Sequence, residues 1–481
     1  MSSPFNEAKY KDLLKGLEIE EVKISNTLTT ELFRLESEFY TAKSFKISKS
    51  FCGEEIIGFV QYGTSEELNE ESEGYPVLRL NEFQSSFIGR PSKYCKHIDK
   101  ATYESLKLQK NDVLICRTNG NPKLVGKSAI VPKNYDFAYA SYLFKIRPKK
   151  ELINASTLVS FLNSKYGRLE IEKFSMASNQ VNFSPAKFRE MRIPNFRISI
   201  NDKIEKLYYR AFDHLEESQN LYSSAETLLL ETLGLSHFEP SAEPVNVKGF
   251  KESFLSTGRL DAEYYQKKYE EIIAHITKEN HDNLNNLVQI KKSIEPGSDV
   301  YSEEGLPFLR VSDYNKFGLT EPDKKLSDSF CKENEELIKK LKPRKETIFF
   351  SKDGSVGTAY MLRKDEDLIT SGAILHLTVK DKTQIIPEYL TLVLNSKLVQ
   401  MQAERDAGGS IILHWRVSEI ENVIVPVIDY SIQKQIADLV EESFHLKKQS
   451  EQLLETAKRA VEIAIEQDEA AALLYIGEQT K

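Results

Sequence analysis

The sequence predicts a mixed α/β chain: two homologous globular domains separated by two long antiparallel coiled-coil helices, related by a pseudo-two-fold. Three observations lead there. Between residues 201 and 233, apolar residues recur at Ile204, Leu207, Tyr208, Ala211, Leu215, Tyr222, Ala225 and Leu229, the three/four spacing of a helix with one apolar seam. The seam returns at Ile436, Leu439, Val440, Ser443, Leu446, Ser450, Leu453, Leu454, Ala457 and Val461. Both helices follow a similar lead-in, Arg192-Ile193-Pro194-Asn195-Phe196 and Val423-Ile424-Val425-Pro426-Val427. Laying Pro194 on Pro426 sets Leu207 on Leu439 with no gap between them.

Asn201 or Asp202 suits the N-cap of the first helix, and Gly234 suits its stop. A helix of about 32 residues is roughly 48 Å long. That exceeds what a compact domain usually supplies and fits a spacer or coiled coil; one long amphipathic helix lying on a domain core has the same period. Residues 5–18 fit a short opening helix. The expected limits are a first domain at 1–200, a helix at 201–234, a linker at 235–245 with Pro240 and Pro244, a second domain at 246–431, a helix at 432–470 and a tail at 471–481.

The chain has 481 residues, 40% hydrophobic and 29% charged, enough for two or more ordinary globular domains. No apolar run approaches the roughly 18 residues of a membrane span. Met-Ser-Ser-Pro-Phe-Asn-Glu does not read as a signal peptide. Cys52, Cys95, Cys116 and Cys331 have no metal-type spacing and suit structural thiols of a reducing cytoplasm. The net charge of −8 argues at first against nucleic acid, but it is unevenly spread. Residues 101–200 carry 17 Lys/Arg against 7 Asp/Glu, a balance of +10, whereas residues 202–243 carry 3 against 9. One segment suits phosphates while the first helix is acidic.

The duplication runs through the whole chain. Phe33-Arg34-Leu35-Glu36-Ser37-Glu38-Phe39-Tyr40 returns as Gly258-Arg259-Leu260-Asp261-Ala262-Glu263-Tyr264-Tyr265. Gly74-Tyr75-Pro76-Val77-Leu78-Arg79 returns as Gly305-Leu306-Pro307-Phe308-Leu309-Arg310, a strand entered through a Gly-x-Pro turn. The strand leading to Asn119-Gly120 answers the strand leading to Asp353-Gly354, and each has a second strand after its turn, near 127–131 and 358–362. Leu162-Asn163-Ser164-Lys165 ends a short helix and returns as Leu394-Asn395-Ser396-Lys397. Ser178-Asn179-Gln180-Val181-Asn182 lies on Ser410-Ile411-Ile412-Leu413-His414.

This ordered set of motifs, found twice, resembles the specificity (S) subunits of Type I restriction–modification systems and their multi-subunit Type II relatives. Arg34-Leu35-Glu36 and Arg259-Leu260-Asp261 look like members that serve adenine-N6 methyltransferases. The resemblance implies a non-catalytic reader of double-stranded DNA with two target-recognition domains, each on half of a split, asymmetric site. The helix pair would act as a ruler and would bind two methyltransferase (M) subunits and, through those, restriction (R) subunits. It implies no cofactor on this chain and S-adenosylmethionine on the M subunits. Two features depart from the pattern. The second helix opens with Gln433 and Gln435 where the first has Asn201 and Asp202, and the first turn, Asn119 to Gly126, is three residues longer than Asp353 to Gly357. A tandem-repeat scaffold that binds proteins without DNA specificity is the alternative.

Candidate DNA-binding residues are polar side chains near the turns: Arg117, Asn119, Lys123, Ser178, Asn179, Gln180 and Asn182 in the first half, and Lys352, Asp353, Ser410, His414 and Arg416 in the second. Amides bind adenine bidentately and Arg or Lys bind guanine. Asn119 and Asp353 equally suit a positive φ before glycine. Arg79 and Arg310 suit a repeated salt bridge as well as a phosphate contact, and Lys145, Arg147, Lys149 and Lys150 suit phosphates or a solvated face. Trp415 and the Tyr264-Tyr265 pair read as packing residues. Gly354-Ser355-Val356-Gly357 is too short for a phosphate loop, and no catalytic or metal motif is legible.

Overall fold

The computed structural model describes residues 22–24, 39–40, 47, 49–175, 181–408 and 412–480. The expected helix at 5–18 and the motif residues 33–38 lie outside them. The chain divides into two compact units, residues 1–215 with 447–481, and residues 216–446.

In the first unit the main sheet has six strands, in the order Ile57–Tyr62, Leu143–Pro148, Val113–Cys116, Ser128–Ile130, Phe87–Ile88 and Phe83–Gln84. The second unit's main sheet has four, in the order Val288–Lys292, Ile374–Val379, Ile348–Ser351 and Ala359–Met361. The first four strands of the one match the four of the other in order and antiparallel sense. Central strands are apolar but for the closing Ser351, Val-Leu-Ile-Cys and Ile-Phe-Phe-Ser, because both of their faces are buried.

The Gly-x-Pro strands are Tyr75–Leu78 and Leu306–Leu309, each paired in parallel with a later short strand, through Leu78 to Tyr139 and Leu309 to Thr370. Gly74 (φ +90) and Gly305 (φ +129) are required there: a Cβ would lie 2.1 Å from the carbonyl oxygens of Cys95 and Leu326. The Leu-Asn-Ser-Lys motif ends the helices Ala155–Asn163 and Pro387–Asn395. Asn163 accepts from the Ser128 N–H (3.1 Å) and donates to the Ser128 carbonyl (2.8 Å). Asn395 does the same to Ala359, at 3.0 and 2.8 Å. One amide thus closes both backbone groups of a strand residue that no neighbouring strand satisfies.

The lead-ins form short strands. Arg192–Pro194 pairs with Ser50–Cys52, and Ile424–Pro426 with His281–Asn283. The long helices follow, Ile198–Thr232 and Tyr430–Glu466. The N-cap expectation fails, because the first helix starts before Asn201. Asn201 is buried and its Nδ2 donates to the Phe196 carbonyl (3.2 Å). Gln433, its counterpart when Pro194 is laid on Pro426, donates to the Ile428 carbonyl (2.9 Å). The shorter amide of Asn201 thus repeats one bond of Gln433, but not the Gln433 oxygen's bond from the Ile386 N–H (3.0 Å), and Asn201 Oδ1 is buried without a partner. Gly234 does end the helix, with φ +66 and the Leu235 N–H returning to the Leu230 carbonyl at 2.7 Å. A further helix, Glu469–Gln479, is capped by Asp468.

In the first unit Ile204, Leu207, Tyr208 and Ala211 share one apolar cluster with Leu454, Ala457 and Val461, and with Phe87, Leu158 and Phe161 of the globular part. In the second, Tyr222, Ala225 and Leu229 share one with Ile436, Val440, Leu390 and Val393. In both units the helices pair with each other and also lie on the core, so the two readings of the period hold together. Small residues sit where they touch: the Ser450 hydroxyl donates to the Ala211 carbonyl (2.6 Å) in the first unit, and the Ser443 hydroxyl to the Ser218 carbonyl (2.7 Å) in the second. Among the described residues no helix is long and apolar enough to cross a membrane.

Candidate nucleic-acid interface

In each unit a central strand runs out into the turn that carries candidate residues. Arg117 follows Val113–Cys116, and Lys352 follows Ile348–Ser351. The chain that follows the helices Lys165–Ser175 and Lys397–Asp406 comes back to meet that turn. The Phe183 N–H donates to the Arg117 carbonyl, and the Trp415 N–H to the Lys352 carbonyl, both at 2.7 Å. Beside them, Thr118 bridges to Asn182 and Asp353 bridges to His414. Phe183 and Trp415, which fall on each other in the same register as the helices, are fully buried and pin the loop to the core. The register read from the helices thus carries through to the loops, and two stretches far apart in sequence form one surface in each unit.

On the first unit that surface holds Arg117, Asn119, Lys123 and Asn182. Ser178, Asn179 and Gln180 lie outside the described residues. The Arg117 guanidinium is 5.3 Å from the Tyr62 ring centre, and its buried Nε has no hydrogen-bond partner. Asn182 Oδ1 is likewise buried without a partner, while Lys187 Nζ donates to the Asn182 carbonyl (2.7 Å). Asn119 Oδ1 accepts from the Asn121 N–H (2.8 Å). The Lys123 side chain is exposed, while Arg168 braces its loop by donating to the carbonyls of Val125 (2.7 Å) and Lys123 (3.1 Å). An open groove of about 530 Å³ runs between Leu80, Asn81, Thr118, Asn119, Gly120, Pro122, Tyr142 and Val181. Burial pushes the Tyr142 phenol up to about 12, so it stays a neutral hydroxyl at the groove wall. Asn81, Thr118 and Tyr142 were not legible as site residues, because they come from three separated segments and no local pattern joins them.

The second unit builds a different surface on the same frame. His414 Nδ1 lies 2.9 Å from Asp353 Oδ1, and Asp353 is also paired with Lys352. Arg416 is exposed and its N–H donates to Glu419 (3.1 Å). Ile412 and Leu413, next to His414, are 55% and 42% exposed. Ser410 lies outside the described residues. The first surface offers cations and amides; the second offers an imidazole held by a carboxylate, a cation at Arg416, and apolar side chains, which suit a thymine methyl.

Several expectations need correction. Neither Asn119 nor Asp353 has positive φ; that conformation falls on the glycines, Gly126 at the end of the first turn and Gly354 and Gly357 in the second, and, earlier, on Asn111 and Glu346 ahead of the two strands. Asn119 instead turns the chain through its side chain. Lys145 faces no solvent: it is 1% exposed, with Nζ 3.1 Å from the Lys107 carbonyl and 3.9 Å from Asp112. Burial lowers its pKa. Arg147 binds the same buried Asp112 at 2.8 Å and Lys149 Nζ donates to the Glu55 carbonyl at 2.8 Å, which leaves exposed Lys150 for the solvated face. Arg79 and Arg310, by contrast, do form the expected repeated salt bridge, to Glu82 (2.7 Å) and Asp313 (3.4 Å). Tyr264 and Tyr265 are half-buried rather than core, with Tyr264 between the guanidiniums of Arg259 and Arg405 at 4.4 and 5.2 Å.

Comparison with known proteins adds to this geometry. Residues 280–456 match the family model described as the Type I restriction modification DNA specificity domain. The Type I restriction enzyme StySPI specificity subunit of Salmonella potsdam is 28% identical over 142 residues, 29% of this chain and 30% of that protein. The Type I restriction enzyme EcoKI specificity subunit of Escherichia coli is 22% identical over 404 residues, 81% of this chain and 80% of that protein. Among solved structures, a Type I restriction–modification S subunit from M. genitalium aligns with 90% of this chain and 96% of its own, at 12% identity and a TM-score of 0.37.

Proposed function

We infer that this chain, a member of the Type I restriction–modification specificity-subunit family, is the non-catalytic DNA-recognition subunit of such a system. One observation carries the reading. The same pairing of turn and loop, Thr118 to Asn182 and Asp353 to His414, recurs at a fixed place on a duplicated scaffold but presents different side chains each time. A duplicated frame with two different polar surfaces suits a bipartite, asymmetric site, one half per unit. The likeness to specificity subunits over four-fifths of the chain supports it.

On this reading the first unit contacts DNA through Arg117, Asn119, Lys123, Ser178, Asn179, Gln180 and Asn182, and the second through Lys352, Asp353, Ser410, His414 and Arg416. The helices 201–234 and 432–470 separate the recognition domains 1–200 and 246–431 and fix the spacer between half-sites. Two M subunits dock along the acidic helix pair and carry S-adenosylmethionine for adenine-N6 methylation. R subunits join through them.

The test assembles the chain with its M subunits and measures duplex binding against salt, after sequencing methylated adenines in host DNA with and without this chain to read the site. Binding should fall steeply as salt rises and should be lost when either half-site is scrambled. Salt-independent association, or indifference to the duplex sequence, would instead favour the protein-binding scaffold.

A further inference from the structure

The repeated Arg-Leu-acid motif has no assigned work. In the second unit Arg259 is three-quarters buried and forms a forked pair with Asp261, Nε to Oδ1 at 2.9 Å and Nη2 to Oδ2 at 2.6 Å. That pair holds the guanidinium in one plane. Its remaining nitrogen, Nη1, turns away from Asp261 and reaches two groups on a different part of the chain. It donates to the Asp406 carbonyl at 3.1 Å and lies 3.7 Å from Glu419 Oε1. The other Glu419 oxygen accepts the Arg416 N–H at 3.1 Å.

Asp406 ends the helix Lys397–Asp406, and Arg416 precedes the helix Val417–Ile420. Between them runs the loop that carries His414, with residues 409–411 outside those described. The loop has its own rungs, Gly408 N–H to the His414 carbonyl at 3.1 Å and His414 N–H to the Gly408 carbonyl at 2.8 Å. Those rungs hold its two arms together but do not aim them. The arms are fixed to the rest of the unit at their base, where Arg259 touches the residue on which the loop begins and the carboxylate that caps its end. Tyr264 stacks on the outer face of Arg259 at 4.4 Å and on Arg405 at 5.2 Å, and Arg405 pairs with the Asp406 carboxylate at 2.7 Å. Two residues of the motif, Arg259 and Tyr264, therefore contact the residues that flank this loop.

We propose that Arg259 is a positioning residue for DNA sequence reading: it ties Asp406 to Glu419, the carboxylate that caps Arg416, and so sets the direction in which His414 and Arg416 face the second half-site. It touches no base itself. The proposal rests on the DNA-reading function above and deepens it.

The experiment uses the full chain with its M subunits and duplexes randomised in one half-site at a time. Arg259→Ala removes the tie. Arg259→Lys keeps the charge but cannot hold Asp261, Asp406 and Glu419 together. Glu419→Gln keeps an acceptor for the Arg416 N–H while weakening the link to Arg259. Discrimination in the second half-site should fall by about tenfold in both Arg259 variants and less in Glu419→Gln, the scale of a lost charged hydrogen bond. Discrimination in the first half-site should stay within about twofold. Unchanged second-half discrimination in a variant that binds overturns the proposal. So does a uniform loss of affinity for every duplex with a lowered melting temperature, which marks a merely structural residue. If the unsubstituted complex itself prefers no duplex, the DNA-reading function fails, an outcome separate from either of these.

Discussion

Asn163 and Asn395 are the residues whose removal has the clearest consequence. Each amide satisfies both backbone groups of a strand residue, Ser128 or Ala359, that has no sheet partner on that side. Alanine leaves a buried N–H and carbonyl unpaired, so Asn163→Ala and Asn395→Ala should each destabilise their unit by about 1–3 kcal/mol, read as a lower urea midpoint. A second residue sets a pH dependence. His376 is 4% exposed, with Nε2 2.8 Å from the Thr370 hydroxyl. Burial, helped by the Lys291 charge, holds its pKa down at about 4 from an ordinary 6.5. Above pH 6.5 neither folded nor unfolded chain takes up this proton. Between 6.5 and about 4 only the unfolded chain does, so stability falls as pH falls through that window, by at most about 3 kcal/mol from this residue. Urea midpoints at pH 7 and 5 should differ less in His376→Phe than in the unsubstituted chain. The sequence made Asn163 and Asn395 visible as a repeated motif but not their partners, which lie 35 and 36 residues away. It misplaced Lys145, since a basic run looks solvated until the buried Asp112 opposite is known.

At the scale of elements, the two long helices were the most legible part of the chain, because an apolar seam writes itself at three/four spacing whatever it packs against. The same period cannot distinguish a helix partner from a globular core, and here both are present. The short strands before the helices were legible as Pro-containing apolar runs. Their partners, Ser50–Cys52 and His281–Asn283, lie far upstream at the other end of each globular part and carry no matching signal. Within the seam, Ser443 and Ser450 break the apolar pattern for a physical reason. Each is buried, small, and bonded to a carbonyl on the facing helix, so the backbones approach closely. Ser443→Leu and Ser450→Leu should force the helices apart and destabilise by about 1–3 kcal/mol each. Serine to alanine keeps the spacing and should lose no more than about 1 kcal/mol. Thermal unfolding of the four variants checks this, and equal effects of alanine and leucine would mean that size is not what those positions select.

At the scale of the molecule, duplication explains why so much was readable and why the rest was not. A copied scaffold repeats whatever the fold demands: the two glycines before the Gly-x-Pro strands, the two asparagine clips, and the amides Asn201 and Gln433 at one helical position. What the fold does not demand was free to diverge, so the turn after the central strand differs in length and the loop facing it in amide and apolar content. The candidate site was visible as the place where the repeat stops matching, and its individual contacts were not. The helices are the part of the frame whose length the proposed function uses directly. Seven residues add about 10 Å of rise, close to three base-pair steps of about 3.4 Å, while the seam turns by only about 20°. Inserting one heptad at matching points of both long helices should therefore change the spacer the complex tolerates or abolish binding, because three base-pair steps also turn the duplex by about 105° while the seam turns by only about 20°. Binding selections with spacers of graded length read this out. A selected spacer of the original length, with both half-sites still recognised, would mean that something other than these helices sets the separation.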